Sequence, residues 1–159
     1  MFKSKINIIL GILTVICITL LGVNLYLEQS NTVNVQFENF IITADKSVGW
    51  GSTIEDNGAS VLTGKIGDDI VETLVLYKLE ENNLTHAAFV ESVLEDFKSG
   101  TRFKDVGTAS FRYGYTIFNC KVADDDSDVE VRIYDTDTIL VRNSTNDSKQ
   151  NLITKIKRK

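Results

Sequence analysis

Proline is absent from the 159 residues, histidine occurs once and cysteine twice. Without proline there are no proline-rich linkers, and boundaries have to be read from Gly, Asn, Asp and Ser. Cys17 lies inside an uncharged hydrophobic run and Cys120 inside a strand-like stretch, so no intrachain disulfide is expected. His86 has no cysteine or second histidine nearby, which excludes the usual zinc ligand sets. Basic residues are outnumbered, 17 against 22 acidic, for a net charge of −5. That balance is wrong for a protein whose affinity comes from neutralising nucleic-acid phosphates. Repeats and low-complexity segments are missing too. A hydrophobic content of 43% places the chain among folded proteins, and its length predicts one domain.

One hydrophobic run is long. Residues 6–27 carry no charge, and as a helix rising about 1.5 Å per residue they span about 33 Å, the thickness of a bilayer core. Lys3 and Lys5 precede the run, Glu28 follows it, and Tyr26 stands where an interfacial aromatic belongs. The positive-inside rule then puts residues 1–5 in the cytoplasm. No small-x-small cleavage site follows, and Ile16 rather than a small residue precedes Cys17, so neither a cleaved signal peptide nor a lipidated cysteine is expected. The expectation is an uncleaved single-pass transmembrane anchor at 6–27. A linker at 28–32 follows, then an extracytoplasmic domain at 33–159, periplasmic or at the cell surface. Without Lys3, Lys5 and Glu28 the domain keeps 15 basic and 21 acidic residues, a net charge near −6.

Within the domain, apolar alternation marks strands at 33–42 (one strand or a pair), 48–55 and 59–66, with a tight turn at Asp56, Asn57 and Gly58 between the last two. Gly67, Asp68 and Asp69 form another turn, and a long strand occupies 70–79. Phe89, Val90, Val93, Leu94 and Phe97 recur at helical spacing, capped by Asn83 or Thr85 and stopped at Gly100. Strand-like stretches follow at 103–110, 111–122, 129–134 and 138–142. A closing helix is expected from Asp147, with Leu152, Ile153 and Ile156 inward. Hairpin-length connections imply a largely antiparallel sheet packed by two amphipathic helices, an α+β domain.

An opening aromatic strand (Phe40, Ile41, Ile42) leading to Trp50, a long strand, a central helix from Phe89 to Phe97, a meander holding Phe111, Arg112 and Tyr113, and a C-terminal helix follow one another. This order resembles the PsbP-like fold shared by DcrB-like bacterial envelope proteins, over roughly residues 37–156. The family usually has a proline just before the tryptophan, where this chain has Ser47, Val48 and Gly49. The resemblance implies a scaffold or binding role and brings no catalytic residue with it.

Each candidate chemical group has a sharper and a plainer reading. Asp124, Asp125, Asp126 and Asp128, with Glu130 beyond, offer oxygen ligands for calcium, yet the spacing and missing glycine are not those of an EF-hand; a solvated turn explains them equally. His86 is a general base only if the fold supplies a nucleophile. Cys120, among Ile117, Phe118 and Val122, reads as an inert buried thiol. Trp50 between Gly49 and Gly51 either meets a ligand or packs under a bend. Lys155, Lys157, Arg158 and Lys159 suit a helix C-terminus or an anionic lipid surface. Asn83, Asn143 and Asn146 begin Asn-x-Ser/Thr triplets. None of these is a catalytic, cofactor or metal motif, so the expected function is non-enzymatic. It is a membrane-anchored binding or accessory protein of the bacterial cell envelope, with a protein partner there. The alternatives are an extracytoplasmic immunity protein, whose acidic surface meets a basic toxin, and an enzyme whose site assembles only in the fold.

Overall fold

The structure, a computed structural model, describes residues 31–80, 83–145 and 152–159. Five strands come first: β1 (Thr32–Phe37), β2 (Phe40–Asp45), β3 (Gly49–Ile54), β4 (Ser60–Ile66) and β5 (Asp69–Lys78). Helix α1 (His86–Ser99) follows. Six more strands complete the order: β6 (Phe103–Lys104), β7 (Ser110–Arg112), β8 (Tyr115–Val122), β9 (Asp128–Tyr134), β10 (Thr138–Ser144) and β11 (Ile153–Arg158).

Local chemistry sets the turns. At the β3–β4 connection Gly58 takes φ +81°, its N–H donates to the Glu55 carbonyl, and the Ala59 N–H donates to Asn57 Oδ1. A side chain disfavours that φ, which is why glycine follows asparagine here. Helix α1 starts at Thr85, whose hydroxyl accepts from the Ala88 N–H at 3.3 Å. That bond satisfies one of the donors a helix leaves open at its N-terminus.

All strand pairs are antiparallel. β3, β4, β5, β10, β9, β8 and β6 form the main path of an eight-stranded sheet, with β7 paired to β8, and β1, β2 and β11 form a second sheet. The small sheet lies against one face of the large one. Phe37, Phe40, Ile42 and Ile153 meet Leu62, Leu74, Leu76, Leu140 and Tyr134 there. Phe40 and Tyr134 touch edge to face, with centroids 5.1 Å apart. Because strand side chains alternate, the neighbouring residues of β8, β9 and β10 point to the opposite face. On that face Phe118, Cys120, Val131, Ile133 and Ile139 receive Phe89 and Val93 of α1. The described residues therefore form three layers: small sheet, large sheet, helix.

Two expectations are corrected. The domain is not an α+β unit with two helices but a mostly β structure with α1 as its one described helix. The closing helix is strand β11, paired to β2. Ile153 and Ile156 are three apart, a helical spacing, but the ladder slips at Thr154, so Ile153 pairs with Ala44 and Ile156 with Ile42. An extra residue in a strand brings an odd spacing back to one face and imitates helical periodicity. The second correction concerns the transmembrane helix. No helix among the described residues is long and apolar enough to cross a membrane, and residues 6–27, on which that expectation rests, lie outside them.

Candidate functional site

The two faces of the large sheet are covered unequally. β5 and β10 are apolar on both faces: Leu74, Leu76 and Leu140 face the small sheet, while Val75, Tyr77, Ile139 and Val141 face the helix layer. Helix α1 has 14 residues, too few to roof the whole sheet, and its buried side chains settle over β8 and β9. A cleft of about 630 Å³ is left beside it.

Its floor is Thr73, Val75 and Tyr77 of β5 with Ile139, Val141 and Asn143 of β10. Phe89, Val93 and Phe97 of α1 form the wall. Phe97 is fixed by stacking on Phe103, with ring centroids 4.5 Å apart, and by an edge contact with Phe118 at 5.2 Å. Leu79 and Leu84, both substantially exposed, line the cleft as well. Polar groups are few. Ser92, Asp96 and Arg102 are exposed at the rim, and the Arg102 guanidinium lies 5.7 Å from the Phe103 ring centroid. On the floor, Asn143 Oδ1 is buried with no hydrogen-bond partner. An apolar concavity of this size with sparse polar groups has the character of a small-molecule site.

No family model, no curated protein and no solved structure matches this chain.

The residues singled out in the sequence are dispersed. His86 opens α1 and is held in place: Nδ1 contacts the Asp135 carbonyl and Nε2 lies 3.0 Å from the Thr116 hydroxyl. It ties the helix to the β9–β10 turn and to β8. Trp50 lies on the opposite face of the large sheet. Its indole N–H donates to the Asp45 carbonyl at 3.2 Å, and its ring rests on Gly64, where a Cβ would stand 2.8 Å from the ring carbons. It packs under a bend. Cys120 is buried, and desolvation pushes its thiol up to about 11, so it stays protonated at neutral pH.

The acidic turn is organised from within and by two lysines, Lys121 lying 3.9 Å from Asp128. Asp125 Oδ1 accepts from the Ser127 N–H at 2.9 Å, and Lys104 pairs with Asp126 at 2.6 Å, holding that carboxyl below the usual range. Among the described residues no group of three or more His, Cys, Asp or Glu side chains is placed to hold a metal ion. The basic tail belongs to β11, not to a helix end. Arg158 pairs with Asp135 at 2.6 Å and covers the Tyr134 ring at 5.6 Å. Asn143, which begins an Asn-x-Thr triplet, lines the cleft floor. Asn146 lies outside the described residues.

The cleft has a signal in the sequence, though not a local motif. The unbroken apolar runs at 74–77 and 139–141 mark strands covered on both faces. Among the described residues, α1 is the one helix that covers the second face.

Proposed function

We propose that this domain is a non-enzymatic, extracytoplasmic binding module whose ligand is an elongated apolar chain ending in an uncharged amide or hydroxyl, held between α1 and the large sheet. The carrying observation is the open apolar cleft of about 630 Å³ with the buried, unpartnered Asn143 oxygen on its floor. An unsatisfied buried acceptor costs about 1–3 kcal/mol, and a ligand donor that meets it once the Asn143 amide turns toward the cleft removes that cost. The apolar body is supported by Val75, Val141, Phe89 and Val93, which line the cleft. The rim adds Asp96 and Arg102, one charge of each sign, so neither an anionic nor a cationic head is singled out. The extracytoplasmic placement is supported by the sequence alone, where the uncharged run 6–27 stands behind Lys3 and Lys5. A non-enzymatic role is supported by the structural tasks already held by His86, Cys120 and Trp50.

The test is thermal melting of the full chain with straight-chain primary amides from hexanamide to dodecanamide. Stabilisation by a ligand at a hundredfold excess over its Kd is about 2.7 kcal/mol. The melting temperature should climb with chain length, and the effect should vanish in Ser92→Trp, which closes an exposed rim position, and in Val141→Trp, which fills the floor. Asn143→Leu should erase the preference for amides over alkanes of equal length. Equal melting with and without every amide would defeat the proposal.

A further inference from the structure

Strand β3 is an outer strand of the large sheet and, among the described residues, pairs only with β4. The Glu55 N–H turns inward to the Ala59 carbonyl at 2.9 Å. Alternation along an antiparallel ladder therefore turns the N–H and C=O groups of Ile54, Ser52 and Trp50 outward. Such a row is a template for another strand, and proteins usually guard it. Two other edges are guarded: β6 has only two residues, and β11 carries Lys155, Lys157 and Arg158. β3, with the sequence GWGSTI, has no charge, no proline and no bulge in its ladder with β4.

We infer that β3 pairs with β3 of a second copy of this chain, antiparallel about a two-fold axis, so that two large sheets become one. The register follows from geometry. A two-fold normal to the sheet keeps equivalent faces on one side, so only residues of the same face oppose each other. Centred on Ser52, the pairing sets Ser52 against the partner's Ser52 and Ile54 against the partner's Trp50. Ile54 is 74% exposed in the single chain and shares its face with the half-buried Trp50, so each copy supplies the apolar cover the other lacks. The strand ends match as well. Lys65 pairs with Gly49 at one end of β3, while Glu55 and Asp56 follow Ile54 at the other. Antiparallel pairing brings the basic end of one strand beside the acidic end of the other. An unrelated extended peptide gains the backbone bonds but not these reciprocal contacts, which is why the occupant is a second copy.

Disulfide trapping in intact cells expressing the full chain tests this, in a Cys17→Ser background that leaves the buried Cys120 in place. Opposed Cα atoms of a hydrogen-bonded antiparallel pair are about 5.5 Å apart, within reach of a disulfide. Ser52→Cys should give a linked dimer on oxidation, whereas Lys157→Cys on β11 should not. Adding Ile54→Lys, a change at an exposed position, should abolish the linked dimer. The inference is overturned if Ser52→Cys stays monomeric while the protein still melts cooperatively. It is equally overturned if the product has the mass of a different partner, or if Ile54→Lys leaves the dimer intact.

Discussion

Glu72 is the clearest case of a residue whose identity is set by its neighbours. It is 1% exposed on the inner face of the large sheet, where Arg142 donates to both carboxylate oxygens at 2.7 and 3.2 Å and the Ser144 hydroxyl donates at 2.6 Å. Beyond them Glu130 and Arg132 pair at 2.7 Å, and Arg132 lies over the Tyr115 ring at 5.0 Å. Removing one member of a buried pair strands the other, which costs about 3–5 kcal/mol, whereas replacing both by apolar side chains of similar volume is often neutral. Arg142→Ala should therefore lower stability by about that amount in urea unfolding. The double variant Glu72→Leu, Arg142→Met should recover most of it. Trp50 shows the same dependence in apolar form. Its place on the sheet exists because Gly64 leaves the room, and no pattern local to Trp50 announces a glycine across the ladder.

At the scale of elements, β11 carries the most specific prediction. The register slip at Thr154 keeps Ile153 and Ile156 facing the core. Deleting Thr154 leaves those two residues in phase in a regular ladder and removes only its hydroxyl bond to the Thr43 carbonyl. The deletion should be tolerated, with a loss on the order of 1 kcal/mol by thermal melting. Inserting one residue between Lys155 and Ile156 should unfold the small sheet, because a one-residue shift exchanges faces. The same irregularity explains what was hidden in the sequence. Strands with plain alternation, the turn at Gly58 and the helix over Phe89 and Phe97 were legible, since each has its own local chemistry. β11 was not, because a bulged strand and a helix share a three-residue apolar spacing. The division of 103–122 into β6, β7 and β8 was also unclear, as Gly107 and Gly114 interrupt it where no other turn residues cluster. The cleft lay beyond local signals, because it is the space left when one helix covers part of a wide sheet.

For the whole molecule, position in the sheets ranks resistance to opening. β5, β9 and β10 have a hydrogen-bonded strand on either side and side chains packed in both layers, so their amides should exchange slowest with deuterium. β6 and β7, of two and three residues at one border of the sheet, should exchange fastest. The outward amides of Trp50, Ser52 and Ile54 should exchange quickly in dilute monomer and slowly when copies pair. Fast exchange throughout β10 would contradict the layered arrangement. The position of β11 also has a consequence for biogenesis. β2 is the middle strand of the small sheet, yet its second neighbour, β11, is made more than one hundred residues later, since Ile153 pairs with Ala44. While the polypeptide emerges from the ribosome, Phe40, Ile42 and Ala44 wait on an incomplete sheet until residues 153–158 have been translated. The nascent protein thus passes through a stage when sticky core side chains are bare, a stage in which holdase chaperones have a natural target.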